Sequence, residues 1–216
     1  MSQNSALKKQ FRVWREAAQQ HNWRQCEVEM FGLYTQLPLQ DGMRIAIDQL
    51  AEHLPTFERY HPDITWVREW FAIVYRLEAV TGLTHDFPFQ SEVRMYNEGG
   101  VATPGSTAFM DGISLLQEAF DTYIADGSAE HCLNLAKGVI GSSILARTLA
   151  YAADNCPAAW QEVQGLLGDI RITDEYSIEE LAERNKHRKA FDECTNDYQA
   201  GLWLALADQM EALLSQ

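Results

Sequence analysis

The sequence predicts an all-α protein: one compact bundle of about seven to nine helices, with a long irregular connection near residues 83–107. Three observations lead there. Each strongly periodic segment repeats its apolar residues at the helical step of about 3.6. Helix-starting residues stand just ahead of these stripes, as at Asn22, Ser128 and Ser177. Pro38, Pro55 and Pro157 fall at the edges of stripes, where a helix tolerates or ends on proline.

The first helix carries Leu7, Phe11, Trp14 and Ala18 on one face, with Ser5 as its expected cap. Asn22 opens the second, with Gln25 three residues on and a stripe of Trp23, Cys26, Met30, Leu33 and Leu37. Pro38 is expected to stop it. A third helix over 42–54 places Met43, Ile47, Leu50 and Leu54 together, and Pro55 is expected to end it. The stretch Pro55–Pro62 reads as a connection. Asp63 is the expected cap of a fourth helix through Ile64, Val67, Phe71 and Val74, with Gly82 as its stop.

Residues 83–107 break the period. Pro88, Gly99, Gly100, Pro104 and Gly105 fall within them, and the sequence allows one short extended piece at Glu92–Tyr96. The fifth helix, over 107–125, repeats Phe109, Ile113, Leu116, Phe120 and Tyr123. Ser128 caps a sixth over 129–154, with Cys132, Leu135, Val139, Ser142, Ala146, Leu149 and Ala153 in line. Pro157 suits the first turn of a seventh, carrying Trp160, Val163 and Leu167 before Gly168. Ser177 and Glu180 form a capping box ahead of Leu181, Phe191, Cys194, Tyr198, Leu202, Ala205 and Leu213. That stripe fits one helix of about 37 residues or two broken near Thr195–Asp197. The chain 1–216 reads as one domain, with a subdivision into 1–82 and 108–216 left open.

Charge narrows the function. The formal net charge is −14. Residues 1–108 carry 10 basic and 13 acidic side chains, whereas residues 109–216 carry 7 and 18. Nucleic acid and anionic lipid both demand a basic surface, so neither is an expected partner. No apolar run is long enough for a signal peptide or a membrane span. The four cysteines, Cys26, Cys132, Cys156 and Cys194, are widely spaced. The expectation is therefore reduced thiols, no disulfide framework and a cytoplasmic location.

Motifs of chemistry are sparse. The six histidines are scattered, and the one Glu-x-x-His spacing, Glu58 to His61, lies between prolines, so no metal and no cofactor is expected. Phosphate loops and nucleophile elbows are missing from the sequence. The acidic run at Glu179, Glu180 and Glu183 suits a helix start, where the macrodipole favours negative charge. Gly138 and Gly141, followed by Ser142, interrupt a helix at a cost of about 1 kcal/mol each. Close approach of another helix accounts for them, and close approach of a ligand is the functional version of the same geometry. Trp66 and Trp70 stand four apart and form a ridge that a partner could grip if it faces water.

The function expected from these features is a non-catalytic helical interaction protein: an adaptor, regulator or inhibitor of another protein with a basic surface. Glu179, Glu180 and Glu183 would supply its field and Trp66 and Trp70 its anchors. Self-association is compatible with the same surface. The alternative is a small-molecule or cofactor-binding protein, or an enzyme, with an apolar pocket lined by the helix around Gly138, Gly141 and Ser142.

Overall fold

The computed structural model describes residues 3–75, 89–100, 102–167 and 177–215. These form α1 (Gln3–Gln19), α2 (Trp23–Tyr34), α3 (Leu39–Ala51), α4 (Leu54–Tyr60) and α5 (Trp66–Val74). They continue as α6 (Gln90–Gly99), α7 (Ser106–Asp126), α8 (Ala129–Asn155), α9 (Pro157–Leu167) and α10 (Ile178–Leu214). No strand occurs among the described residues, so the all-α class holds. Gly82 and Gly168, the two expected glycine stops, lie outside the described residues.

Two short helices form inside stretches read as connections. Pro55 does not end a helix but enters the first turn of α4, where its missing N–H has no intrahelical partner to lose. The piece Glu92–Tyr96 is helical, not extended. Gln90, Glu92, Arg94 and Met95 are good helix formers, Arg94 and Glu98 pair at 3.7 Å, and Val93 with the half-buried Tyr96 gives α6 an inner side.

Caps set most of the ends. Asn22 accepts from the N–H of Gln25 at 3.2 Å, and Ser128 accepts from His131 at 3.2 Å. The capping box at α10 is complete, because Ser177 N–H donates to Glu180 at 2.8 Å and Glu180 N–H to Ser177 at 3.2 Å. Two expected caps differ. Ser5 lies within α1, and Thr65, not Asp63, precedes α5.

The core runs through every helix from α1 to α8 and includes α10. Helices α7 and α8 form an antiparallel hairpin around Gly127, whose φ of 68° puts it in the left-handed region that favours glycine. On its other side α8 packs against α3, where the Ser143 hydroxyl donates to the Gln49 carbonyl. Burial on several sides explains why α8 is apolar around most of its circumference. Helix α10 is one unbroken helix of 37 residues. Thr195 does not break it, because its hydroxyl donates back to Phe191 O at 2.9 Å, within the helix.

The apolar line of α10 differs from the expected one. Leu181 and Ala205 are exposed, while Leu202, Trp203, Leu206, Ala207 and Met210 are buried, in the part of α10 that packs against α1 through Trp203. There Trp203 meets Trp14 edge-on at 6.2 Å, and Arg15 reaches both Asp208 and Glu211 at 2.6 Å. One expectation is overturned outright. Cys156 and Cys194 are joined as a disulfide, with Cα atoms 6.6 Å apart, a separation a disulfide spans. The two residues are 38 apart in sequence. They meet only because α10 folds back along α8 and α9, which spacing does not reveal. Cys26 and Cys132 are free and buried, and burial pushes both thiols up to about 12.

Candidate functional site

The site begins at a turn. Gly105, with φ 80°, swings the chain into α7 directly over α8. A β-carbon at this position would fall on the Ala146 carbonyl oxygen and within 2.8 Å of His53. Ser106, fully buried, holds the turn: it accepts from Thr103 N–H at 2.8 Å and donates to Thr103 O at 3.0 Å. Thr103 Oγ1 lies 2.9 Å from His61 Nε2, and Tyr96 OH lies 3.0 Å from the same nitrogen. Burial lowers the pKa of His61, which favours its neutral form.

Beside this turn, a groove of about 490 Å³ opens between the start of α7, the middle of α8 and α9. Its apolar surface comes from Ala102, Ala108, Leu145, Leu149 and Trp160. Leu145 leaves 51% of its surface open to water, an unusual exposure for a leucine next to a core. Thr103, Thr107 and Gln164 add uncharged polar atoms, and Asp111 is the single charged lining residue. The Asp111 carboxylate is exposed at the mouth of the groove and makes no hydrogen bond or ion pair with the described residues, and the protein atoms crowding its inner side raise its pKa. Thr107 and Asp111 stand four apart on α7 and share its face.

His53 sits behind Gly105, 1% exposed, with its ring 5.1 Å from that of Phe109. Neither ring nitrogen has a partner among the described residues. Burial, then the charges of Arg147 and Arg59, lower its pKa to about 4. It is a neutral wall of the turn.

Thr103 and His61 have the spacing of a nucleophile and its base, but no carboxylate reaches His61 among the described residues to orient it, and Tyr96 occupies the same nitrogen. No cluster of three or more metal-ligating side chains occurs among the described residues. Glu58, half of the Glu-x-x-His spacing, instead pairs with Arg68 at 2.7 Å.

The residues singled out from sequence are placed elsewhere. Gly138 and Gly141 do not line the groove. A β-carbon on Gly138 would stand 3.3 Å from Leu115, and one on Gly141 would meet nothing within 4 Å. Close helix approach falls instead on Gly112 of α7, where a β-carbon would be 2.6 Å from Leu50 and 3.4 Å from Ser142. The α8 residues that do line the groove, Leu145 and Leu149, follow one and two turns later. Trp70 is fully buried and Trp66 is half-buried, stacked on Phe89 at 5.9 Å, so the pair presents no aromatic ridge to water. Glu179, Glu180 and Glu183 are exposed at the start of α10. Glu180 closes the capping box, and Glu183 lies 3.3 Å from Lys186 and 3.1 Å from His187. Helix α5 packs on α3, whereas α10 packs on α1, α2, α8 and α9, so the tryptophans and the glutamates belong to different parts of the bundle.

Sequence reasoning missed Thr103, Gly105, Asp111, Leu145 and Trp160 as one site. Two signals were present. Asp111 interrupts the apolar run Phe109-Met110-Asp111-Gly112-Ile113, and Leu145 is a large apolar residue off the stripe of its helix. Comparison with protein-family models, curated proteins and solved structures finds no match. No helix among the described residues is long and apolar enough to cross a membrane.

Proposed function

We propose that the protein is a non-catalytic binding protein whose ligand is a small, largely apolar molecule seated in the groove between α7, α8 and α9. The observation that supports this reading is the groove itself. Its volume of about 490 Å³ lies within the range of small-molecule sites, and five apolar residues with a few convergent polar atoms make up its lining. Leu145 exposes apolar surface that a ligand would cover. The rival reading, an adaptor for a basic protein, keeps the acidic charge as its support, but of its two aromatic anchors Trp70 is in the core and Trp66 is half-buried under Phe89.

The test is titration with a neutral solvatochromic dye, Nile red. Saturable binding to one site is expected. Leu145→Gln should weaken it about tenfold, the cost of replacing apolar contact with an uncompensated amide. Because Leu145 is half open to water, the variant should melt like the parent. No saturable binding, or binding indifferent to Leu145→Gln, would refute the proposal.

A further inference from the structure

We infer that the groove selects an apolar amine: an alkyl or aryl body lying on Leu145, Leu149 and Trp160, with one protonated nitrogen held by Asp111 and Thr107. This rests on reading the groove as a ligand site and adds the ligand's chemical class.

Charge complementarity carries it. Asp111 is the one charged group on an otherwise uncharged lining, and nothing among the described residues neutralises it. Asp111 and Thr107 are both exposed at the mouth of the groove, beside its apolar wall, and a carboxylate placed there is best matched by a cation that brings its own hydrogen-bond donors. An ammonium offers three donors. Asp111 accepts as a carboxylate and Thr107, on the same face of α7, accepts through its hydroxyl. The net charge of −14 enriches cations near the surface and repels anions.

One feature of the groove favours the opposite sign. Gly105, Thr107 and Ala108 belong to the start of α7, and a helix N-terminus bears about half a positive charge. A full negative charge on Asp111 outweighs that fraction at comparable distance. The outcome is therefore decided by a matched set of ligands.

The experiment is isothermal titration of the full chain near neutral pH with three probes of one chain length: octylamine, octanoic acid and octanol. Octylamine is expected to bind about fivefold tighter than octanol, the increment of a well-placed ion pair at an exposed carboxylate, and octanoate weaker than either. Asp111→Asn should remove the amine's advantage while leaving octanol affinity unchanged, and raised salt should shrink that advantage in the parent. Circular dichroism checks that the variant keeps its helices. Equal binding of octylamine and octanol would overturn the amine inference and leave the apolar-ligand reading standing. Preference for octanoate would overturn it in favour of the helix N-terminus. Failure of all three probes would overturn both readings.

Discussion

Protonation of His53 should set the acid stability of the fold. Its ring is buried, its nitrogens have no partners among the described residues, and its pKa falls from 6.5 to about 4. A histidine depressed in the fold binds its proton less readily than in the unfolded chain. Stability from this group is complete above pH 6.5 and is lost as pH falls towards 4. A fall from 6.5 to about 4 corresponds to roughly 3 kcal/mol, of which about 2 kcal/mol is gone near pH 5. His61, also depressed by burial, adds a smaller slope of the same sign. The clean measurement is a difference: urea unfolding of the parent and of His53→Leu across this window. Leucine nearly matches the imidazole in volume and leaves no buried nitrogen unpartnered, so the variant should be at least as stable near neutral pH. Its stability should fall by about 2 kcal/mol less than the parent's on going to about pH 5. Parallel curves for the two proteins would refute the reasoning, whatever their absolute stabilities.

The glycines should separate by surroundings, not by helix. Gly141→Ala fills open space and gains helix propensity, so thermal melting should rise by a few degrees, about 1 kcal/mol. Gly105→Ala forces a β-carbon onto the Ala146 carbonyl at positive φ and should cost about 2–5 kcal/mol in the same assay. Reduction of Cys156–Cys194 should lower stability by about 3–4 kcal/mol, as expected for a loop of this length, read by urea unfolding with and without reductant. Thiol titration should find two thiols in the unfolded oxidised chain and four after reduction, since Cys26 and Cys132 are free.

Much of the local structure was legible because its causes are local. The caps at Asn22, Ser128 and Ser177 are decided by a side chain three residues from the N–H it satisfies. The stripe Phe11, Trp14 and Ala18 requires only that one face of a helix be buried. Those signals suffice for the all-α class and for a helical C-terminus, though not for its being one unbroken helix. They do not say what a face is buried against. Trp70 belongs to the stripe of α5, while its neighbour Trp66 is covered by Phe89, and no periodicity assigns that cover.

What the sequence determined by itself is every described helix except α4 and α6, three of their caps and the negative charge, each set by residue type over a few positions. What the tertiary structure alone decided is where helices meet. It placed Gly112 rather than Gly141 at the close approach, and joined Cys156 to Cys194. It also brought Asp111 from α7, Leu145 from α8 and Trp160 from α9 around one groove. These depend on which of several apolar faces pair, a choice made by the packing of the whole core, and apolar burial carries no address in a single helix.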